Sequence, residues 1–75
     1  MKELLEFIAK SLVENPEGVV VTQTETETAI TLELRVAEGD MGRVIGRQGK
    51  IAKAIRTVVR SAAAWEKKKI NVDIV

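Results

Sequence analysis

The sequence predicts an α+β fold in the order α-β-β-α-α-β, a three-stranded sheet with helices packed on one face. Three observations lead there. Apolar residues recur at helical spacing over residues 2–14 and again from Lys50 to about Lys67. Apolar and polar residues alternate strictly over Ile30–Val36. Glycines and the single proline fall between these stretches rather than inside them. At 75 residues the chain has room for one small domain, spanning 1–75.

The first helix carries Leu4, Leu5, Ile8 and Leu12 on one face, with Glu3, Glu6 and Lys10 away from it. Asn15-Pro16-Glu17-Gly18 stops it, because proline disfavours helix at the residue before it and glycine permits a turn. Val19–Thr24 is β-branched and reads as a strand. Ile30, Leu32, Leu34 and Val36 form the buried face of the next, opposite Thr31, Glu33 and Arg35. The link between them, Thr24-Glu25-Thr26-Glu27-Thr28, has no turn glycine, so a hairpin is predicted without a register. Asp40 is placed to cap a short helix over Met41–Ile45. After a break at Gly46-Arg47-Gln48-Gly49 the longest helix puts Ile51, Ile55, Val58, Ala62 and Trp65 in one sector, so Trp65 is expected in the core. Lys53, Arg56, Arg60 and Lys67 share a narrow sector on the other side, with Lys50 beside it. Ile70, Val72 and Ile74 alternate in the last strand, Ile70–Val75.

Composition removes whole classes of chemistry. The chain has no Cys and no His, which excludes disulfides, thiolate and imidazole metal sites, cysteine nucleophiles and His-based triads. Ser11 and Ser61 fall within helices with no histidine to activate either, and Glu25, Glu27 and Glu33 read as a solvated face. No enzyme, metal, cofactor or small-molecule substrate is expected. The N-terminal residues show no long apolar run, and no stretch approaches the ~20 apolar residues of a membrane span. A cytoplasmic location with no membrane association is expected. Only Phe7 and Trp65 are aromatic, and both sit at helix positions, so a β-sheet platform for stacking bases is excluded.

Net charge is +1, but it is unevenly divided. Met1–Gly42 holds 3 bases against 9 acids, and Arg43–Val75 holds 9 bases against 2, balances of −6 and +7. A basic surface on the C-terminal half is the electrostatic footprint of a polyanion partner. A solvated helix face would give the same count.

The segment Gly42-Arg43-Val44-Ile45-Gly46-Arg47-Gln48-Gly49-Lys50-Ile51 concentrates the signals. A P-loop would need glycine at Val44 and Ser or Thr at Ile51. A dinucleotide fingerprint would need glycine at Val44 and a preceding strand. Both fail. A G-x-x-G turn between two helices fits. Its glycines allow a sharp reversal and let a sugar-phosphate chain approach the backbone. The amides opening the following helix favour phosphate oxygens, and Arg47 and Lys50 add full charges. A plain helix-loop-helix turn would need the same glycines.

Val44-Ile45-Gly46-Arg47-Gln48-Gly49 between two helices, within this order of elements, resembles the KH RNA-binding domain of type II topology. The resemblance covers essentially the whole chain. The stretch Gly42–Arg60 is closer still to the small single-domain bacterial KH proteins of the KhpA kind. It departs from the general pattern at Ala52, where many KH domains have a larger aliphatic residue. The resemblance implies that Gly46, Arg47, Gln48 and Gly49 hold the backbone of about four single-stranded RNA nucleotides, flanked by Arg43 and Lys50. It implies a base-binding groove walled by Val44, Ile45, Ile51 and Ala52 with residues of the Ile30–Val36 strand. Lys53, with Arg56 and Arg60, would extend the electrostatic track. It also implies a homodimer or a larger KH-containing partner of the KhpB kind, and a role as RNA chaperone or post-transcriptional regulator linked to cell elongation, cell shape and the cell wall. In the family, the loop and following helix are thought to form the dimer surface. The competing class is a protein–protein interaction module, for which Ala62-Ala63-Ala64 would let a second helix approach closely. A DNA-reading helix-turn-helix is disfavoured, because strands fill much of the chain and the second helix offers mainly Lys and Arg.

Overall fold

The computed structural model describes residues 1–75 and has the expected order of elements. Helix α1 spans Lys2–Leu12, strands β1 and β2 span Val20–Glu25 and Ala29–Arg35, helix α2 spans Met41–Ile45, helix α3 spans Lys50–Ala62, and strand β3 spans Lys69–Ile74. Three single 3₁₀ turns punctuate them at Pro16–Gly18, Glu38–Asp40 and Arg47–Gly49. The sheet order is β1-β2-β3, with β1 antiparallel and β3 parallel to the central strand.

Register follows from burial. Ile30, Leu32 and Leu34 stand opposite Ile70, Val72 and Ile74 of β3, and Leu34 also stands opposite Val21 of β1. Shifting any strand by one residue would turn these side chains out to water. The hairpin needs no glycine because Thr26 closes it. Its hydroxyl accepts the N–H groups of Thr28 and Ala29, at 3.3 and 3.1 Å, and its own N–H donates to the Ala29 carbonyl at 2.8 Å. Leu5, Ile30, Leu32, Leu34, Val44 and Val59 are the largest fully buried side chains, gathering α1, α2 and α3 over the central strand.

Asp40 does not cap α2. Its carboxylate is buried and accepts the N–H groups of Glu14 and Asn15, both at 3.0 Å, while the Arg43 Nε lies 3.7 Å away. This ties the start of α2 to the chain leaving α1. It also explains why α1 stops at Leu12, short of the expected residue 14: the next amides are held by Asp40 instead of by the helix.

Helix α3 departs from its prediction in length and in rotation. It ends at Ala62, because β3 begins at Lys69, whose N–H is already paired with the Thr28 carbonyl at 3.0 Å. Its buried face is Ala52, Ile55 and Val59, continued by Ala63. Small residues on this line let the helix lie close to the sheet, and the bulkier Val58 is left outside, 47% exposed. Trp65, expected in the core, lies beyond the helix end at 77% exposure, its indole N–H donating to the Ala62 carbonyl at 3.2 Å. Phe7 on α1 is 70% exposed.

Gly46 ends α2 with φ 73° and ψ 175°, a conformation essentially restricted to glycine. A Cβ there would sit 2.6 Å from Ile51 Cγ1 and 2.9 Å from its Cβ. Gly46→Ala is therefore expected to destabilise the protein by about 2–4 kcal/mol, against about 1 for Gly49→Ala, where a Cβ would meet nothing within 4 Å. Asp40→Ala, which orphans two amides, is expected to cost about 2 kcal/mol. Urea titrations of the three variants check this ranking; equal stability of Gly46→Ala and Gly49→Ala would contradict the Ile51 contact.

Candidate nucleic-acid interface

The loop between α2 and α3 is built from left-handed backbone. Gly46, Gln48 and Gly49 all have positive φ, at 73°, 57° and 74°, and Gln48 is the one non-glycine residue in the chain to do so. Gly46 N–H donates back to the Gly42 carbonyl at 2.9 Å, closing α2, and Gly49 N–H donates to the Gly46 carbonyl at 3.2 Å. The turn is compact, and Arg47 and Gln48 stand exposed at its tip. Gly49 is the residue before α3, so the N-terminal end of that helix, with its partial positive charge, opens beside the same loop.

Charge around the loop is largely uncompensated. Of the nine bases from Arg43 to Val75, only Arg43 and Lys68 have an acidic partner. Arg47, Lys50 and Lys53 are exposed and make no salt bridge within 4.0 Å. Arg43 is engaged differently from its expected role beside the loop: its Nη2 pairs with Glu14 and its Nε faces Asp40. Part of its charge is thus spent inside the fold.

The expected groove wall is mostly core. Val44 is completely buried, Ala52 is buried, and so are Ile30, Leu32, Leu34 and Val36, which leaves them no surface to offer a base. Ile45, 37% exposed, and the partly buried Ile51 remain accessible. Period-2 and period-3.6 patterns mark apolar residues that face something, and here that something is the opposite layer.

Two further surfaces flank α3. On its α1 side lies an open apolar groove of about 360 Å³ lined by Ile8, Leu12, Ile51, Ala54, Ile55 and Val58, with Lys50 at its margin. On its β3 side, Arg56 Nε donates to the Val72 carbonyl at 3.0 Å and Arg60 Nε donates to the Ile70 carbonyl at 3.2 Å. The basic sector of the helical wheel thus lies against the β3 edge, whereas the apolar sector lies toward α1, rotated away from the residues that meet the sheet. The side chains offer no cluster of three or more acidic residues arranged for a metal, and no helix is long and apolar enough to cross a membrane.

These features can be set beside known proteins. A family model described as the KH domain of KhpA and KhpB matches residues 2–74. The chain is 60% identical over 75 residues to the RNA-binding protein KhpA of Clostridium perfringens, with both chains covered in full. It is 52% identical to the RNA-binding protein KhpA of Listeria monocytogenes serovar 1/2a, covering 100% of this chain and 99% of the relative. Among solved structures, the fold is similar to part of Era in the crystal structure of its complex with MgGDPNP and nucleotides 1506–1542 of 16S ribosomal RNA. The TM-score is 0.71 at 20% identity, over 97% of this chain and 28% of the Era chain. That likeness concerns the fold alone, and it agrees with the type II KH arrangement of helices and strands. On the family model and the full-length relatives together, the chain belongs to the KhpA/KhpB KH-domain family.

Proposed function

We propose that this protein binds short single-stranded RNA without catalysis, the Gly46–Gly49 loop holding the sugar-phosphate backbone. The observation that carries this reading is the loop itself: three positive-φ residues present Arg47 and Gln48 at a tip where Arg47, Lys50 and Lys53 have no acidic partner. Glycine at both ends keeps the approach free of Cβ atoms, and the opening of α3 adds partial positive charge. Family membership supports RNA as the polyanion, and the relatives named above are RNA-binding proteins. With one short clamp and no stacking platform, affinity is set by a few phosphate contacts and falls with salt. In this reading the site is Gly46, Arg47, Gln48, Gly49, Lys50 and Lys53, with Arg43 contributing long-range charge and Ile45 the accessible apolar surface. The protein acts in the cytoplasm as a post-transcriptional regulator or RNA chaperone, with a role in cell elongation, as the family resemblance implies.

A second reading, an assembly module, is favoured by a separate observation. Phe7, Val58 and Trp65 are exposed, and an open apolar groove lies between α1 and α3. Apolar surface of this kind is usual at a protein interface. The proposed occupant is a second copy of the chain or a larger KH-containing partner.

Fluorescence polarisation with short random-sequence single-stranded RNA tests the clamp. A dissociation constant on the order of micromolar is expected, weakening with salt by a log–log slope of about −0.7 per phosphate neutralised. Arg47→Asp/Gln48→Asp should lose this binding while keeping its circular dichroism spectrum; equal binding by both proteins would dismiss the clamp. For assembly, sedimentation over a concentration series should show a dimer that Val58→Asp dissociates. The fluorescence of Trp65, the only tryptophan, should shift to shorter wavelength as the dimer forms. A strict monomer at high micromolar concentration would refute the homodimer.

A further inference from the structure

Resting on the RNA-clamp reading, we infer that Glu14 is an affinity-determining residue of that clamp, and one that acts against it. Its carboxylate holds the Arg43 guanidinium at the end of α1 and so withholds one cation from the RNA backbone. Four bases border the Gly46–Gly49 loop: Arg43 before it, and Arg47, Lys50 and Lys53 within and after it. Three of them meet no acid within 4.0 Å, and Arg43 alone is neutralised by the fold.

The pair is more than a chance meeting of two long side chains. Glu14 lies just past the end of α1, and its N–H donates to Oδ1 of the buried Asp40 at 3.0 Å, which fixes the backbone that launches its carboxylate. Arg43 stands in the first turn of α2, three residues after Asp40. Each Asp40 oxygen already accepts an amide, from Glu14 or from Asn15, and Arg43 Nε stays 3.7 Å away, beyond hydrogen-bond distance. The one hydrogen bond of the guanidinium is therefore from Nη2 to Glu14 Oε1. Both side chains are open to solvent, Arg43 at 51% and Glu14 at 72%, so this bond is exchangeable without disturbing the core.

Position gives the bond its effect on the loop. Gly46, where the loop begins, closes the same helical turn, its N–H donating to the Gly42 carbonyl at 2.9 Å. One turn is about 5.4 Å, less than the length of an extended arginine side chain. Helical side chains lean toward the N-terminus, and Glu14 holds Arg43 in that direction, away from the loop. A released guanidinium can swing back to the loop and take a phosphate. Carboxylate and phosphate are both strong acceptors for a guanidinium. Exchanging one for the other gains little, so Arg43 adds little to RNA affinity while Glu14 is charged and present.

The test measures fluorescence polarisation of a ten-nucleotide random-sequence single-stranded RNA at two or more salt concentrations. Glu14→Gln keeps an acceptor for Arg43 and removes the charge. It should tighten binding by about threefold, the size of an exposed ion pair, and steepen the salt slope by about 0.7, one further phosphate neutralised. Glu17→Gln, which removes a nearby exposed acid that has no basic partner, reports the long-range charge effect and should change affinity by less than about 1.5-fold. Arg43→Gln alone should also stay within about 1.5-fold of the natural protein, and Glu14→Gln/Arg43→Gln should match it. Circular dichroism reports folding, and Glu14→Ala serves as the second variant should Glu14→Gln disturb it. A tether alone would lower stability and leave affinity unchanged. Unchanged affinity in Glu14→Gln, a gain no larger than that of Glu17→Gln, or a gain that survives Arg43→Gln would overturn the inference; the clamp would still stand if Arg47→Asp/Gln48→Asp loses binding. Absence of binding by both the natural protein and Glu14→Gln would overturn both.

Discussion

The reversal at Gly46 is the constraint on which the rest of this structure depends. Two helices must meet at a surface turn while both pack on the same sheet, and the chain achieves this in four residues. Ile51, in the first turn of α3, lies directly against the Gly46 backbone, closer than any Cβ would permit. That contact fixes where α3 starts. Its start, with the 3.6-residue period, then fixes which side chains lie over the sheet, which reach the β3 edge and which face α1. The backbone conformation that permits the reversal also leaves the loop tip free of bulk. One strained element therefore serves both packing and ligand approach, as strained backbone at functional sites commonly does.

Electrostatics divides along the same line. Of the acids of the N-terminal half, Asp40 is buried as a tether between α1 and α2, Glu6 is half-buried and the others are exposed. Two bases of the C-terminal half reach across to that acidic half: Arg43 pairs with Glu14 and Asp40, and Lys68 with Glu25. The bases on the loop and along α3 are unpaired. Exposed ion pairs contribute little to stability, so the unpaired row is no great burden to the fold. Its effect is on what approaches: a concentrated positive surface on a chain whose net charge is only +1.

Most of the architecture was legible in the residues, because period-2 and period-3.6 patterns report burial and the glycines and proline report breaks. The order of elements, the alternating face of β2 and the position of the loop all follow from such local signals. What stayed hidden depends on contacts distant in sequence. Asp40 has the residue type and position of a helix cap, but its partners, Glu14 and Asn15, lie about 25 residues away. Trp65 continues the apolar sector of α3 on a helical wheel, yet the helix ends three residues earlier because β3 must begin at Lys69. Val44 and Ala52 carry the groove wall in the family resemblance, but both are buried here. The basic sector was visible, whereas the β3 carbonyls that orient Arg56 and Arg60 were not.

Helix α3 ends up with three working surfaces, and their separation bears on how RNA and a protein partner would share the molecule. Ile55 and Val59 face the sheet. Arg56 and Arg60 lie on one flank, against β3, and Val58 with Ile51 on the other, against the α1 groove. On a helix Arg56 and Val58 are roughly 160° apart, so a partner seated on the apolar flank leaves the basic flank open to solvent. Only Lys50 belongs to both settings, next to the loop and at the margin of the groove. On the proposed reading, a partner seated in the groove would therefore meet the RNA site first at Lys50, at the loop end of α3.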